Sequence, residues 1–280
     1  MDLNDVLCKK NLLSYIARGY NSLQYAPQLI SWLEAIYPGT TFSNYNKFEL
    51  HQALNNALLQ DYAGEFKYKY FLFKKFHQQR LIAGFEMKVK NSRIDFITVN
   101  GCSTSYEIKS TIDNLGKLSK QAGDYLSAFE YNNVIVDEKH LEKCVGILPV
   151  SFGIIIFKNQ RQRIFRRPLL NTDISSETQL SLLTKKELFT YFQCIDQSTI
   201  ISSNHKRLVN ENFKLALKSR YQARWQFVKQ HAHHILPIDL QFFFNTNIPP
   251  ENIYGNCLNQ IFQQQYPSQC SEYNAPSKCA

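Results

Sequence analysis

Three runs of strand-forming residues between Phe85 and Ser110 constrain the fold of this chain more than any other feature. The runs are Phe85 to Val89, Arg93 to Val99 and Ser105 to Ser110, and the turns between them are Lys90-Asn91-Ser92 and Asn100-Gly101. β-Branched and aromatic residues dominate each run, as in antiparallel strands. Leu115 to about Tyr131 then repeats apolar residues at helical spacing. The order predicts a three-stranded meander followed by a helix.

Segments on both sides extend this core. Val134 to Val136 and Gly153 to Phe157 are short apolar runs that fit buried strands. Phe48 to about Tyr62 predicts a helix ahead of the meander, whereas Lys67 to Lys75 alternates aromatic residues with lysine and then loses the alternation. The predicted fold class is therefore α/β, an α+β mixed sheet with helix, three strands, helix and strand in that order.

Helical patterns flank the core. Leu12 to Ile36 repeats apolar residues with an interruption at Pro27, and Glu187 to Gln193 and Glu211 to about Gln230 also look helical, while the strand signal fades after Arg161. We therefore predict a helical lead-in at 1–40, a core at 41–160, and a basic, mainly helical region at 161–280. The end of that region, from Asn245, is expected to be partly ordered.

Cysteines and apolar segments indicate the compartment. The seven cysteines are an odd number without a C-x-x-C pair, which is typical of reduced intracellular thiols. No segment approaches the roughly 18 consecutive apolar residues of a membrane span. The first five residues include Asp2 and Asp5 and no basic residue, whereas a signal peptide begins with a basic segment. We expect a cytoplasmic protein that does not bind a membrane.

The net charge of +9 favours a polyanionic partner. From Arg161 onward there are 14 Lys and Arg against 8 Asp and Glu, so the C-terminal part is the more basic. Two groups there are candidates for nucleic-acid binding: Arg161, Arg163, Arg166 and Arg167, which surround Phe165, and a helical stripe of Arg207, Lys214, Lys218 and Lys229. A solvated basic surface without a ligand is the alternative.

The candidate catalytic residues lie in the meander. Glu107 and Lys109 alternate with apolar positions and therefore point to one face of their strand. A two-residue loop at Asn100-Gly101 would pair Asp95 with Tyr106, whereas a three- or five-residue loop, or a bulge at Gly101, would pair it with Glu107. We predict the longer turn, because adjacent carboxylates can hold Mg²⁺ or Mn²⁺ beside Lys109.

A second triplet of the same form weakens any argument from Glu107-Ile108-Lys109 alone. Glu86-Met87-Lys88 has the same acid-x-lysine pattern. We favour the Glu107 triplet, because an aspartate stands on the strand before it and a helix with Gln121 and Tyr125 on one face follows. Glu86 has only Glu65 and Asp61 upstream, beyond an aromatic run with no evident paired strand.

The order Arg93-x-Asp95, Glu107-Ile-Lys-Ser110, Asp113 and Gln121-x-x-x-Tyr125, followed by an apolar strand after Pro149, resembles the PD-(D/E)XK nuclease superfamily of restriction-endonuclease-like proteins. The likeness covers roughly 47–157 and lacks the nominal proline before Asp95. It implies an αβββαβ core and Mg²⁺- or Mn²⁺-dependent cleavage of DNA. Asp95, Glu107 and the Ile108 backbone carbonyl would hold the metal, with Glu49 as a further acid, and Gln121 and Tyr125 would hold the phosphate or brace Lys109.

Other readings stay open. A non-catalytic nucleic-acid-binding module on the same fold is the main alternative, and a structural subunit with a basic face is a weaker one. RNA is a second possible substrate, and a homodimer or a separate partner protein is compatible with the sequence. His231, His233 and His234 with Asp239 match no established zinc spacing. Nucleases of this kind resemble effectors of mobile-element or antiphage defence.

Overall fold

The computed structural model describes residues 3–158 and 161–255, with the side chains of residues 3–8 outside that description. The helices are α1 (Leu3–Gly19), α2 (Ala26–Ile36), α3 (Lys47–Asp61), α4 (Phe66–Phe76), α5 (Leu118–Leu126), α6 (Leu141–Ile147), α7 (Ser176–Ser181), α8 (Lys185–Phe192), α9 (Gln197–Ser203), α10 (Lys206–Gln230), α11 (Leu240–Asn245) and α12 (Pro250–Tyr254). The strands are β1 (Ile82–Val89), β2 (Ser92–Asn100), β3 (Cys102–Lys109), β4 (Tyr131–Asp137), β5 (Gly153–Lys158) and β6 (Arg161–Arg166).

The chain forms two compact units, Ala63–Gln230 and Met1–Tyr62 together with His231–Ala280. This division does not follow the boundaries expected near residues 40 and 160. The described segment after α10 packs with the N-terminal helices, because Ile238 donates its N–H to Asn55 of α3 at 2.8 Å. The expected partly ordered tail lies, from residue 256 onward, outside the described residues.

A six-stranded mixed sheet forms the larger unit, with its strands in sequence order. β1, β2 and β3 are antiparallel, β3, β4 and β5 are parallel, and β6 is antiparallel to β5. The mixed α/β class is confirmed, with helices before, within and after the sheet. The sequence analysis missed β6, whose arginine-rich pattern lacks the apolar alternation of a half-buried strand but suits an exposed edge.

The β2–β3 turn has the odd parity that we predicted, but it is shorter than a three- or five-residue loop. Asn100 pairs with Cys102 and Phe96 with Tyr106, so the same register places Asp95 opposite Glu107. Gly101 alone separates the strands, with a φ of 76°, a conformation that glycine adopts at little cost. The turn therefore brings the two acids to neighbouring positions of adjacent strands.

Helices cover the sheet and complete its core. α5 packs against β2 and β4, and α10 packs against β1 and β2. The Lys67 to Lys75 run, which the sequence left undetermined, lies in α4, and its Phe76 ring stacks at 5.8 Å from Phe96 of β2. Phe96 is fully buried, and burial of such a side chain contributes about 2 kcal/mol. This packing holds α4 beside the centre of the meander.

The smaller unit is helical and is built around buried polar groups. Pro27 starts α2 instead of breaking a longer helix. The Tyr20 hydroxyl lies 2.5 Å from Nδ1 of His51 and 3.2 Å from Asp239, and Tyr254 also donates to Asp239. These contacts connect Tyr20, which follows α1, with His51 of α3 and, through Asp239, with Tyr254 of α12.

Within the described residues, no helix combines the length and the apolar character that crossing a membrane requires. Cys102, Cys144 and Cys194 are free thiols. Cys257, Cys270 and Cys279 lie outside the described residues.

Candidate active site

Glu107 is the centre of a hydrogen-bonded cluster between β3 and α5. Its Oε1 accepts from Lys109 Nζ at 2.5 Å and from Gln121 Nε2 at 2.6 Å, and its Oε2 accepts from the Tyr125 hydroxyl at 2.7 Å. The strand period puts Glu107 and Lys109 on one face, and the helical i, i+4 spacing puts Gln121 and Tyr125 opposite them. The structure thus brings these four predicted residues together.

Asp95 lies where the β2–β3 ladder ends. Its Oδ2 accepts the N–H of Ile108 at 2.7 Å. This side-chain bond replaces the next backbone hydrogen bond between β2 and β3. The amide and the carbonyl of one strand residue point to the same edge, and the Ile108 carbonyl therefore also faces β2. Asp95, Glu107 and Ile108 line one cleft of about 420 Å³.

Burial and like charge disfavour ionisation of the two acids. Burial, and then the neighbouring Glu107, raise the pKa of Asp95 well above its usual range. Burial also raises the pKa of Glu107, although Lys109, Tyr125 and Gln121 partly offset this by bonding its charged form. A cation between the carboxylates would relieve this repulsion.

A second group of charges lies on the α4 side of Asp95. Lys69 is 2% exposed, and its Nζ is 2.8 Å from Glu65 and 3.7 Å from Asp95. It also contacts the Glu86 carboxylate, whose other oxygen pairs with Arg93 at 2.6 Å. Burial lowers the pKa of Lys69, but Asp95, Glu65 and Glu86 outweigh it and raise that pKa overall.

Glu86 and Glu65 are the residues that sequence reasoning missed. The β1–β2 register places Glu86 opposite Asp95, so the rival triplet contributes its acid to the same cluster. Its φ of 57° is rare for a residue with a side chain and interrupts the ladder at that point. The sequence shows that both acids precede Asp95. It does not show the irregular backbone at Glu86 or the packing of α4 on the sheet.

Glu49 is not part of this cluster. It belongs to the other compact unit, where its carboxylate accepts the N–H of Asn46 at 2.8 Å in a capping box that begins α3. Glu65, the N-cap residue of α4, is an acid ahead of the sheet that does line the cleft. Asp113 of the motif accepts from the backbone and hydroxyl of Ser110 and closes the turn after β3.

The donor set suits a hard divalent cation. Asp95, Glu107 and the Ile108 carbonyl are all oxygen ligands, which Mg²⁺ and Mn²⁺ prefer. Gln121 lines the same cleft, and its Oε1 is buried without a hydrogen-bond partner among the described residues. Such an oxygen can accept a hydrogen bond from a water molecule on the ion.

Basic side chains surround the mouth of this cleft. Arg93, Lys117 and Lys120 line it, and the Arg93 side chain is 71% exposed. Lys117 and Lys120 are also exposed. Because an anionic ligand would meet these cations on entry, the rim near the carboxylates is itself basic, which the sequence analysis did not anticipate.

The predicted nucleic-acid residues divide into two groups. Arg161, Arg163 and Arg167 are exposed, and Lys218 is partly so. Arg166 instead donates to the carbonyl oxygens of Phe152 and Pro149, at 2.7 and 2.9 Å.

Lys214 is also committed to internal bonds. Its Nζ lies 2.7 Å from the Gly101 carbonyl and 3.0 Å from Glu130. We therefore withdraw Arg166 and Lys214 as phosphate ligands. The helical stripe does not form a free basic face, since Lys229 donates to the Gln79 carbonyl and Arg207 pairs with Glu211.

The histidine cluster differs from the one considered in the sequence. His231 and His234 lie near Glu251, whose carboxylate is 2.9 Å from His234 Nδ1, while Asp239 is buried beside Tyr254. All three residues of this group are partly or fully exposed.

The fold and the site define a mixed α/β protein with a buried cluster of carboxylates and lysines beside a basic cleft. Residues 60–243 match the family of Bacteriophage P4 protein cII, so this chain belongs to that family. No curated protein matches the chain. A solved structure of a protein of unknown function from Silicibacter pomeroyi shares 17% identity over 45% of this chain and 83% of its own, with a TM-score of 0.29. A likeness of that size supports no argument about fold or function.

Proposed function

We propose that the chain is a metal-dependent nuclease of the PD-(D/E)XK superfamily that hydrolyses phosphodiester bonds in DNA. The observation that carries this proposal is the cluster in which Glu107 accepts from Lys109, Gln121 and Tyr125 next to the buried Asp95. Structural ion pairs also occur in sheets, but these residues line an open cleft with a basic rim. Phosphoryl chemistry needs such positioning and charge stabilisation.

The residues have distinct parts in this proposal. Asp95, Glu107 and the Ile108 carbonyl would hold the cation, and a bound cation would supply a water of lowered pKa and positive charge beside the phosphate. Lys109, whose Nζ lies 2.5 Å from Glu107, would orient the attacking water or neutralise the transition state. Gln121 and Tyr125 fix the Glu107 carboxylate, since each donates to one of its oxygens.

The rim supports a polyanionic substrate. Arg93, Lys117 and Lys120 can contact phosphates on either side of the cleft, and the exposed arginines of β6 extend the basic surface. The family takes its name from a bacteriophage protein, which agrees with a mobile-element setting. We include a role in antiphage defence and an intracellular site of action in the proposal.

Cleavage assays test this function directly. Purified protein is incubated with linear, circular and single-stranded DNA plus Mg²⁺ or Mn²⁺, beside Glu107→Gln and Lys109→Ala. We expect cleavage by the wild type and a loss of 10²-fold or more in each variant, on the order of one transition-state contact. Lys88→Ala is the matched control, because Lys88 belongs to the second triplet but is exposed.

The outcomes separate the alternatives. Undiminished cleavage by both site variants would overturn the assignment of residues. DNA binding without cleavage by any form would favour a nucleic-acid-binding module on the same fold, and cleavage of RNA alone would change the substrate class.

A further inference from the structure

We propose that the Lys69 ammonium occupies the position between the carboxylates of Glu65, Glu86 and Asp95 where a second metal ion could bind. Lys69 thereby limits the site to one divalent ion. That ion would lie at Asp95 and Glu107. The inference rests on the proposed metal-dependent function and adds the number of ions and the residue that sets it.

The first argument is the geometry of the corner. Glu65, Glu86 and Asp95 each offer one carboxylate oxygen, and these three oxygens lie within 4.8 Å of one another. Convergent carboxylates at that spacing could act as ligands of a hard divalent cation. Lys69 Nζ is already there, 2.8 Å from Glu65 and 3.7 Å from Asp95, and in contact with Glu86.

The second argument is burial. With 2% exposure, Lys69 has no access to solvent and cannot reach a substrate in the cleft. A buried ammonium is tolerated only when anionic partners surround it. Glu86 supplies one of them from a left-handed backbone conformation that few residues with side chains adopt. The chain thus holds an unfavourable conformation where it serves Lys69.

The third argument is charge balance. The cluster contains the four carboxylates of Glu65, Glu86, Asp95 and Glu107 and the three cations Lys69, Arg93 and Lys109. One net negative charge remains when all of them are ionised. A single divalent ion changes this to one net positive charge, whereas a second ion beside Lys69 would leave three net positive charges.

Lys69 is therefore a positioning residue and acts through Asp95. Its ammonium holds the Oδ1 side of that carboxylate, while Ile108 holds Oδ2. Removal of Lys69 without replacement would leave three convergent carboxylates open to a second metal ion.

Mn²⁺ titration of the full-length protein, with bound ions counted by electron paramagnetic resonance, tests this inference without DNA. We expect one bound Mn²⁺ in the wild type, two in Lys69→Met, and one again in Lys69→Met/Glu86→Gln, which removes a ligand of the new site. Lys74→Met is the control, because Lys74 lies on the same helix but is exposed.

Glu65→Gln keeps the test decisive if Lys69→Met does not fold. Because Glu65 is 40% exposed, we expect the fold to tolerate this substitution, and the variant should still bind one Mn²⁺. Two ions in the wild type, one or none in folded Lys69→Met, or loss of an ion in Glu65→Gln overturns the inference. No ion in the wild type with one gained in Lys69→Met would support the place of Lys69 but contradict the metal site of the proposed function.

Discussion

At the residue scale, the site depends on hydrogen bonds that favour the charged form of Glu107 against the effect of its burial. Glu107 is 2% exposed, and its pKa is raised by burial although three donors oppose that shift. Each donor therefore stabilises the folded state and also lowers the pKa of Glu107. The Tyr125 hydroxyl is the clearest case, because a phenylalanine ring fills the same space without the donor.

We expect Tyr125→Phe to lower the free energy of unfolding by about 2 kcal/mol, the typical cost of removing a hydrogen bond to a charged group. The pKa of Glu107 should rise further, because its charged form loses a donor at 2.7 Å. The acidic limb of the proposed cleavage reaction should therefore move to higher pH. Urea unfolding and pH–rate profiles measure the two effects.

Tyr15→Phe is the matched control for this prediction, since Tyr15 is 70% exposed. An unchanged pH profile in Tyr125→Phe would contradict the role of the hydroxyl in the ionisation of Glu107, even if stability falls.

At the element scale, one glycine lies in the turn that pairs the strands of Asp95 and Glu107. Gly101 has a φ of 76°, and an added Cβ would meet no atom within 4 Å, so a substitution there is disfavoured by backbone conformation alone. Gly123 of α5 is equally open but has an ordinary helical backbone. The two positions form a matched pair.

We expect Gly101→Ala to lower the free energy of unfolding by about 1 kcal/mol. Gly123→Ala should raise it by roughly 0.5 kcal/mol, because alanine loses less backbone entropy in a helix. Chemical denaturation of both variants tests the difference. Equal effects of the same sign would show that the conformation of Gly101 does not limit the turn.

Local sequence patterns predicted the elements better than their irregularities. The alternation in β2 and β3 left two registers open, and we chose the one that pairs Asp95 with Glu107 because adjacent carboxylates can hold a metal ion. The structure has that register. Glu86 joins the charged cluster from a backbone with a positive φ, and the alternation of apolar and polar residues does not predict such an angle. Glu65 and Glu49 both precede the sheet, and only the packing of α4 against β2 distinguishes them.

At the scale of the whole molecule, the smaller compact unit contains two buried ionisable groups with opposite responses to pH. In the smaller unit, burial raises the pKa of Asp239 from 3.8 to about 6, although its hydrogen bonds oppose the shift. Burial, with a further effect of Lys47, lowers the pKa of His51 from 6.5 to about 3. Neither group lies in the unit that carries the candidate active site.

The signs follow from linkage. The Asp239 contribution to stability is present below its unfolded pKa and is lost as pH rises through its folded pKa, whereas the His51 contribution is lost as pH falls. Between about pH 4 and 6 the two slopes oppose each other. We expect Asp239→Asn to steepen the gain in stability over that window by about 2 kcal/mol, and His51→Gln to reverse it.

Urea unfolding followed by Trp32 fluorescence measures this, in a Trp225→Phe background that leaves Trp32 as the sole tryptophan of the chain. Asp61→Asn serves as the control, because Asp61 is exposed in the same unit. A pH dependence in Asp239→Asn that matches the wild type would contradict the altered ionisation of Asp239.

The hydrogen bond from Ile108 to Asp95 has a consequence for how this site should be altered. Asp95→Ala would remove a proposed metal ligand and also leave a buried backbone amide unpaired at the open end of the β2–β3 ladder. A loss of function in that variant would mix failed chemistry with a loosened sheet. Asp95→Asn retains an oxygen for the amide while it discards the charge. Asp95→Asn, and not Asp95→Ala, is therefore the substitution that isolates the proposed metal-binding role of this position.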